Sequence, residues 1–158
     1  MTLAVADKKE VREYLRYVHV HDSLMFATDG YRLHWCITEF EDGVYEPKTM
    51  LKMESDSWNS FPSSLKDRVK NHLIRDCNQG EYPWVLVGTL EKEEEIYDSL
   101  FCQRIGGTLF QKQYVESAEK IRTIKNANLF LHLDDSKTLY GCLSDSSAGF
   151  TVMSIKEK

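Results

Sequence analysis

The chain has 158 residues, 42% of them apolar and 11% aromatic, with a formal net charge of −5 at pH 7. This length and apolar content suit one compact domain, or one domain with a small insertion, and exclude wholesale disorder. The acidic balance argues against a simple nucleic-acid coat, although one localised basic face would still permit DNA contact. No apolar run approaches the roughly 20 residues that span a bilayer, and the N-terminus lacks a secretion signal, so we expect a soluble, cytoplasmic protein without a membrane partner.

The four cysteines fit that compartment. They are widely spaced and form neither a Cys-x-x-Cys pair nor a zinc-finger pattern. Three of them sit inside apolar runs, which is typical of free cysteines that act as small buried hydrophobes. Disulfides are not expected in a reducing cytoplasm. The residues are Cys36, Cys77, Cys102 and Cys142.

The first region of the chain, up to about residue 47, predicts a three-stranded antiparallel meander. Asp29 and Gly30 form the strongest hairpin signal, because Gly30 can supply the positive φ that a tight primed turn needs. The expected elements are a short helix over residues 8–13, strands over 14–20, 24–28 and 31–38, and turns at 21–23 and 42–43.

The middle region, residues 48–107, has a different pattern. Leu65, Val69 and Leu73 recur at every fourth position, which predicts an amphipathic helix over residues 63–75. Residues 84–88 read as a buried strand, the charge run at 91–95 as a solvated face, and Gly106-Gly107 as a turn.

The third region, from residue 108 to the end, predicts a βαβββ unit. The first region is predicted to be the same unit with its opening strand and most of its helix missing or very short. The expected elements are a strand over residues 108–110, a helix over 112–125 closed by residues 126–128, and strands over 129–133, 138–143 and 150–155.

Residues 27–33 read Ala-Thr-Asp-Gly-Tyr-Arg-Leu. This sequence closely resembles the Ala-Thr-Asp-Gly-His-Arg-Leu signature of the bacterial sliding clamp, the β subunit of the replicative polymerase. Residues 11–15 resemble the Val-Arg-Tyr-Tyr-Leu that precedes this hairpin in the clamp's middle domain. Residues 146–153 resemble the closing strand of the clamp's last domain, and residues 114–115 loosely resemble its last helix.

The resemblance covers residues 10–40 and 108–155. It implies an α+β, DNA-clamp-like domain of two βαβββ-type halves, with antiparallel sheets and one or two helices packed on them. The expected organisation is a single clamp-like domain over residues 1–158, with 48–107 a possible insertion or divergent central segment.

The chain also departs from the family. A bacterial clamp chain has three such domains and this chain has about one, so a closed ring would need about six copies or a partner that supplies the rest. The usual short C-terminal tail is absent, and Tyr31 stands at the histidine position of the signature.

The resemblance implies a non-enzymatic scaffold with no cofactor and no metal. Clamps encircle duplex DNA and hold polymerases by a hydrophobic pocket that takes a short peptide. In the family, this pocket uses the signature and the final Val-x-Met strand, which come from adjacent domains, so a subunit contact would have to bring the two groups together here. The implied peptide-binding residues are Thr28, Gly30, Tyr31, Arg32, Leu33, Thr151 and Met153.

Simpler interpretations stand beside these. Arg32 could pair with Asp29 or Glu39 and have no further role, and Leu33 and Met153 would be core residues in any β fold. DNA contact would use the last helix, with Lys66 and Lys70 as further candidates, but Glu116 and Glu119 share that helix, and a plain solvated face is the simpler interpretation. The implied DNA-binding residues are Lys112, Lys120, Arg122 and Lys125.

Enzymatic motifs are missing from the sequence: there is no nucleophile elbow, P-loop or Gly-rich nucleotide fingerprint. His19 and His21 lie two apart on a strand, which places both on one face and permits metal binding in principle, but no third ligand follows at a telling spacing. Asp134, Asp135 and Asp145 are expected in turns.

Two functions remain open. The first is a clamp-like DNA polymerase processivity factor, a homo-oligomer that tethers a replicative polymerase to duplex DNA. The second is a clamp-fold interaction module that binds or regulates a replication protein without encircling DNA. Mass in solution separates them, because a monomer of this size cannot form a ring.

Overall fold

The computed structural model of the chain describes residues 4–5, 8–56, 58–61, 63, 85–87 and 91–158. The chain divides into two compact units, Met1–Arg75 and Asp76–Lys158. Within the described ranges, no helix is both long enough and apolar enough to cross a membrane.

The first unit contains an antiparallel sheet. Its described strands follow the order β5-β4-β1-β2-β3. The predicted meander is therefore confirmed as β1, β2 and β3, and two short strands extend it beyond β1. The strands are β1 (Val18–His21), β2 (Leu24–Thr28), β3 (Arg32–Ile37), β4 (Gly43–Tyr45) and β5 (Lys52–Met53).

The start of this unit differs from the prediction. The segment Glu13–Arg16 forms a 3₁₀ helix, so β1 begins at Val18 and not at residue 14, and the expected helix at 8–13 is displaced towards the C-terminus. This single turn buries Leu15 and places the carbonyl oxygen of Tyr14 2.7 Å from Nε2 of His19. One helical turn is too short to leave a periodic pattern in the sequence.

Both faces of this sheet are covered. On one face, His19 and its cross-strand partner Phe26 stack with ring centroids 5.6 Å apart, and Trp58 and Phe61 pack against them. Every residue of β2 is consequently buried. The opposite face buries an apolar cluster of Ala4, Val18, Val20, Met25, Ala27 and Tyr45.

The second unit contains the predicted βαβββ succession, formed by β9, α1, β10, β11 and β12. Its described strands form two antiparallel sheets, ordered β12-β11-β10-β6 and β7-β8-β9. The elements are β6 (Val85–Leu86), β7 (Lys92–Tyr97), β8 (Leu100–Ile105), β9 (Thr108–Gln111), α1 (Lys112–Lys125), β10 (Leu129–Leu133), β11 (Thr138–Leu143) and β12 (Ala148–Met153).

Local signals ended these elements as expected. Asn126 closes α1 in the left-handed conformation, with φ 47°, and its backbone N–H bonds the carbonyl of Arg122. Gly106 and Gly107 have positive φ between β8 and β9. After β12, the amide of Ile155 donates to the carbonyl of Leu109 at 2.8 Å, which ties the C-terminal segment to β9.

The middle region agrees with the prediction only in part. The charge run at 91–95 lies mostly on β7 and is largely exposed, as expected for a solvated face, and Glu94 and Glu95 pair with Lys112 and Arg104, both at 2.7 Å. The strand β6, expected to be buried, exposes Val85 and Leu86. The predicted helix over 63–75, with Lys66 and Lys70, lies outside the described residues apart from Ser63.

The fold class is confirmed at the coarse level of antiparallel sheets with a helix packed on them. The second unit has the βαβββ form; the described part of the first unit has the meander with only a 3₁₀ helix before it. The division into one domain with an insertion at 48–107 stays a prediction.

The cysteines differ in state. Cys36 and Cys102 are free thiols, the latter buried, as expected. Cys142 is buried and disulfide-bonded, so the expectation of no disulfide is wrong at this position.

Candidate functional site

The segment 27–33, which we call the signature hairpin, joins β2 to β3. The register pairs Thr28 with Leu33, and the loop between the strands consists of Asp29, Gly30 and Tyr31. Four residues, 29–32, therefore separate the paired positions Thr28 and Leu33, whereas the predicted two-residue primed turn would leave only Asp29 and Gly30 between paired residues. Gly30 has a φ of +93°, so the positive φ is where it was expected.

The carboxylate of Asp29 explains the longer loop. Its Oδ1 accepts hydrogen bonds from the amides of Tyr31 at 2.9 Å and Arg32 at 3.0 Å, and its Oδ2 accepts one from Nε of Arg32 at 3.0 Å. Only 13% of the Asp29 side chain and 15% of the Arg32 side chain are exposed. The ion pair between Arg32 and Asp29 is therefore confirmed, and the peptide-binding role of Arg32 stays a prediction.

Thr28 closes the loop from the other side. Its Oγ1 donates to the carbonyl of Arg32 at 2.7 Å and accepts a hydrogen bond from the amide of Gly30 at 3.0 Å. The side chain is buried. Thr28 and Asp29 together use side-chain oxygens to satisfy the loop's backbone, which fixes its conformation before any ligand arrives.

The hairpin presents one large side chain to solvent. Tyr31 is 61% exposed, whereas Leu33 is 8% exposed and belongs to the core. An exposed tyrosine offers an apolar ring and one hydroxyl, which suits it to a protein contact. At this hairpin, a ligand would first meet the ring of Tyr31.

The segment 11–15 packs beside the hairpin loop. A Cβ placed on Gly30 would lie 3.7 Å from the guanidinium nitrogens of Arg12 and from Cδ1 of Leu15. Arg12 is held by Glu10 through contacts of 2.8 and 3.1 Å, and these hydrogen bonds lower the pKa of Glu10 to about 2. Residues 11–15 and the signature hairpin, which both resemble the clamp, are thus neighbours in space.

The two remaining residues of the implied pocket belong to the second unit. Thr151 on β12 is half-buried, whereas its neighbours in the chain, Phe150 and Val152, are buried. Met153, at the end of β12, is 49% exposed, so its interpretation as a core residue is wrong. The role of both groups in peptide binding stays a prediction.

The basic residues of α1 do not form one stripe. Lys112 contacts Glu94 at 2.7 Å and Glu116 at 3.8 Å, and the hydrogen bond with Glu94 raises its pKa. Lys120 and Arg122 are exposed. Because they are two positions apart in the helix, their side chains point about 200° apart around its axis. The side chain of Lys125 lies outside the described residues.

Acidic groups share the exposed face of α1. The i,i+4 spacing in the sequence suggests that Glu116 pairs with Lys120, but Glu116 lies beside Lys112. Glu119 pairs with Lys92 of β7. A duplex needs a run of uncompensated positive charge, which this mixed face does not offer among the described residues. The DNA-binding role of these residues stays a prediction.

His19 and His21 share one face of β1, as their spacing predicts. His19 is 1% exposed within the aromatic cluster, and burial lowers its pKa. Its burial among aromatic rings favours the structural role expected from the sequence. His21 is more exposed, and its ring lies 4.7 Å from that of Trp58.

Asp29 organises the loop but is not among the binding residues predicted from the sequence. The available signal was an aspartate followed by glycine and, at the third position, an arginine. Such an Asp can accept hydrogen bonds from its own loop. The burial that makes this contact strong has no signature in the sequence.

No protein-family model and no curated protein matches the chain. Among solved structures, the chain is similar to the crystal structure of a DnaN sliding clamp (DNA polymerase III subunit beta) from Pseudomonas aeruginosa bound to griselimycin, with a TM-score of 0.48 and 13% sequence identity. The similarity covers 99% of this chain and 61% of that one, so the chain spans about three fifths of the clamp's length. These values do not place the chain in the clamp family.

Proposed function

We propose that this chain is a non-enzymatic, clamp-like scaffold that binds a replication protein through a short peptide segment of that protein. The carrying observation is that residues 11–15 and the signature hairpin, which resemble the clamp independently, pack together at Gly30. In this loop, the carboxylate of Asp29 accepts a hydrogen bond from the amide of the exposed Tyr31 and so fixes its backbone. The proposal places the protein in the cytoplasm with its replication partner.

The charge of the hairpin suggests what kind of peptide it binds. The guanidinium of Arg32 faces Asp29, so the pair carries no net charge towards a ligand. The exposed part of the hairpin is the ring of Tyr31, and aromatic residues of this kind commonly anchor protein contacts. We therefore expect the peptide to use apolar or aromatic side chains and not an acidic cluster.

Fluorescence anisotropy with a labelled clamp-binding peptide tests this proposal. Tyr31→Ala should weaken binding at least tenfold, which corresponds to about 1.4 kcal/mol. Met153→Ala tests the second predicted group in the same assay. Phe101→Ala is the matched control, because Phe101 is 71% exposed on β8, outside the predicted residues.

The proposal fails if the peptide does not bind the wild-type chain. It also fails if the Tyr31 and Phe101 variants bind equally well, because the exposed ring of the hairpin would then have no part in recognition.

A second candidate, a processivity factor that encircles DNA, depends on the exposed Lys120 and Arg122. It requires a ring-sized oligomer, whereas one chain has a mass of 18.4 kDa. Light scattering gives the mass, and retention on circular duplex that is lost on linearisation tests encirclement. The salt dependence of that retention tests the ionic contact of Lys120 and Arg122 with DNA. A monomer that ignores DNA and captures the peptide favours the scaffold alone.

A further inference from the structure

One group of potential metal ligands lies in the first unit, away from the signature hairpin. His21 ends β1, and the two residues after it, Asp22 and Ser23, form the turn into β2 with φ values of 51° and 62°. Asp42 directly precedes β4, which pairs with β1. The β1–β4 ladder therefore brings Asp42 beside His21, although they are far apart in the chain.

The three side chains meet at hydrogen-bonding distances. Nε2 of His21 lies 3.3 Å from Oδ2 of Asp22, and Nδ1 of His21 lies 3.5 Å from Oδ2 of Asp42. The amide of Asp22 also donates to Oδ1 of Asp42 at 3.1 Å. One ligand atom from each residue can be chosen so that all three lie within 4.8 Å of one another.

Ligand atoms about 2.1 Å from a tetrahedral zinc ion lie about 3.4 Å from each other. The two carboxylates contact different ring nitrogens of His21, and one ion can bind only one of these nitrogens. One carboxylate therefore already lies near this separation from its ring nitrogen, and the other must turn towards the same side of the ring. Asp22 is 72% exposed and Asp42 57%, so their carboxylates can turn onto a common ion and leave room for coordinating water.

The charge and the donor types select the kind of ion. Two carboxylates face one imidazole, so even a protonated His21 leaves the group negative, whereas a divalent cation with neutral His21 balances it. Imidazole with carboxylates favours a first-row transition metal over Mg²⁺ or Ca²⁺, which prefer all-oxygen sites.

We propose that His21, Asp22 and Asp42 bind a divalent transition-metal ion of the Zn²⁺ type, with water completing the coordination shell. The site lies within the first unit and is independent of the proposed peptide contact. Its ligands come from the β1–β2 turn and the segment before β4, so a bound ion links these two connections.

The structure supplies a built-in reporter of this site. The ring of Trp58 lies 4.7 Å from that of His21, with an interplanar angle of 32°. Co²⁺ bound at His21 should quench the emission of Trp58. A Trp58→Phe variant identifies the part of the signal that comes from this residue.

Three substitutions remove one ligand each and keep the local fold. Asp22→Asn retains the turn, because asparagine tolerates the left-handed conformation well. Asp42→Asn retains an oxygen that can accept the amide hydrogen of Asp22. His21→Gln removes the imidazole. Glu41→Gln is the matched control, since Glu41 adjoins Asp42 in the chain and pairs instead with Lys52 at 3.1 Å.

Titration calorimetry with ZnCl₂ and Co²⁺ quenching of tryptophan test the site on the full chain, with circular dichroism as the check of folding. We expect one saturable ion per chain, at least tenfold weaker binding in each ligand variant, and unchanged binding in Glu41→Gln. Absence of saturable Zn²⁺ binding by the wild-type chain overturns the proposal. Zn²⁺ binding that the folded Asp22→Asn and Asp42→Asn variants retain in full also overturns it, because the ion then lies elsewhere.

Discussion

Replacing Asp29 with alanine should destabilise the signature hairpin more than any other single change in its loop. The substitution removes the acceptor of three hydrogen bonds, two from backbone amides and one from the guanidinium of Arg32. The pair is only 15% and 13% exposed, so water compensates for little of the loss.

The magnitude follows from this partial burial. Breaking a fully buried ion pair costs about 3–5 kcal/mol, and each hydrogen bond to a charged group contributes about 1.5–3 kcal/mol, although these contributions do not add. We expect a loss of about 3 kcal/mol in the free energy of unfolding. With a urea m value of about 2 kcal/mol/M, the unfolding midpoint falls by about 1.5 M.

Urea unfolding followed by far-UV circular dichroism and tryptophan emission measures this change. Trp35 is a suitable local probe, since it is buried on β3 and pairs with Phe26 across the hairpin. Glu39→Gln is the matched control, because Glu39 is the other carboxylate that the sequence suggested as a partner of Arg32. This substitution should change the free energy of unfolding by less than about 0.5 kcal/mol. If Asp29→Ala unfolds at the wild-type midpoint, the loop does not depend on the Asp29 contacts.

Three further predictions concern stability. Burial, followed by positive charge that includes Arg32, lowers the pKa of His34 to about 3, below its usual 6.5. The imidazole of His34 therefore binds a proton less readily in the native state than in the unfolded chain, so the free energy of unfolding falls between pH 6.5 and 3. The expected loss from pH 6 to 4.5 is about 2 kcal/mol. A His34→Gln variant whose stability changes with pH as steeply as that of the wild type would contradict this. Gly141→Ala places a Cβ 2.2 Å from Cε1 of the buried Phe150, so we expect a loss of about 3 kcal/mol in urea unfolding, and a wild-type midpoint would contradict that packing. Tyr31→Ala should leave the thermal midpoint nearly unchanged, since its ring is 61% exposed; a fall of several degrees would instead make Tyr31 a structural residue.

Short-range signals predicted much of the fold. The period of the apolar residues at 112–125 and the closing Asn126 predicted α1, and alternation with turn residues predicted the strands that follow it. The same signals missed the 3₁₀ helix at Glu13–Arg16, because a single turn lacks a period. They also could not determine that the charge run at 91–95 pairs with Lys112 and Arg104.

The candidate site was predicted in part. Its location at residues 27–33 and the positive φ of Gly30 follow from the order of residues in the chain. The order of residues does not determine which side chains are exposed there, because exposure depends on packing from distant segments. Leu33 is buried and Met153 is exposed, although the sequence suggested a core position for both.

The sequence by itself determined a hairpin at Asp29-Gly30 and a βαβββ unit near the C-terminus, because turns and periodic elements are encoded by residues close together in the chain. Only the tertiary structure decided that the Asp29–Arg32 ion pair is mostly buried, that residues 11–15 pack at Gly30, and that Asp42 lies beside His21. These contacts depend on burial and on strand pairing between distant segments. No local pattern of residues specifies either one.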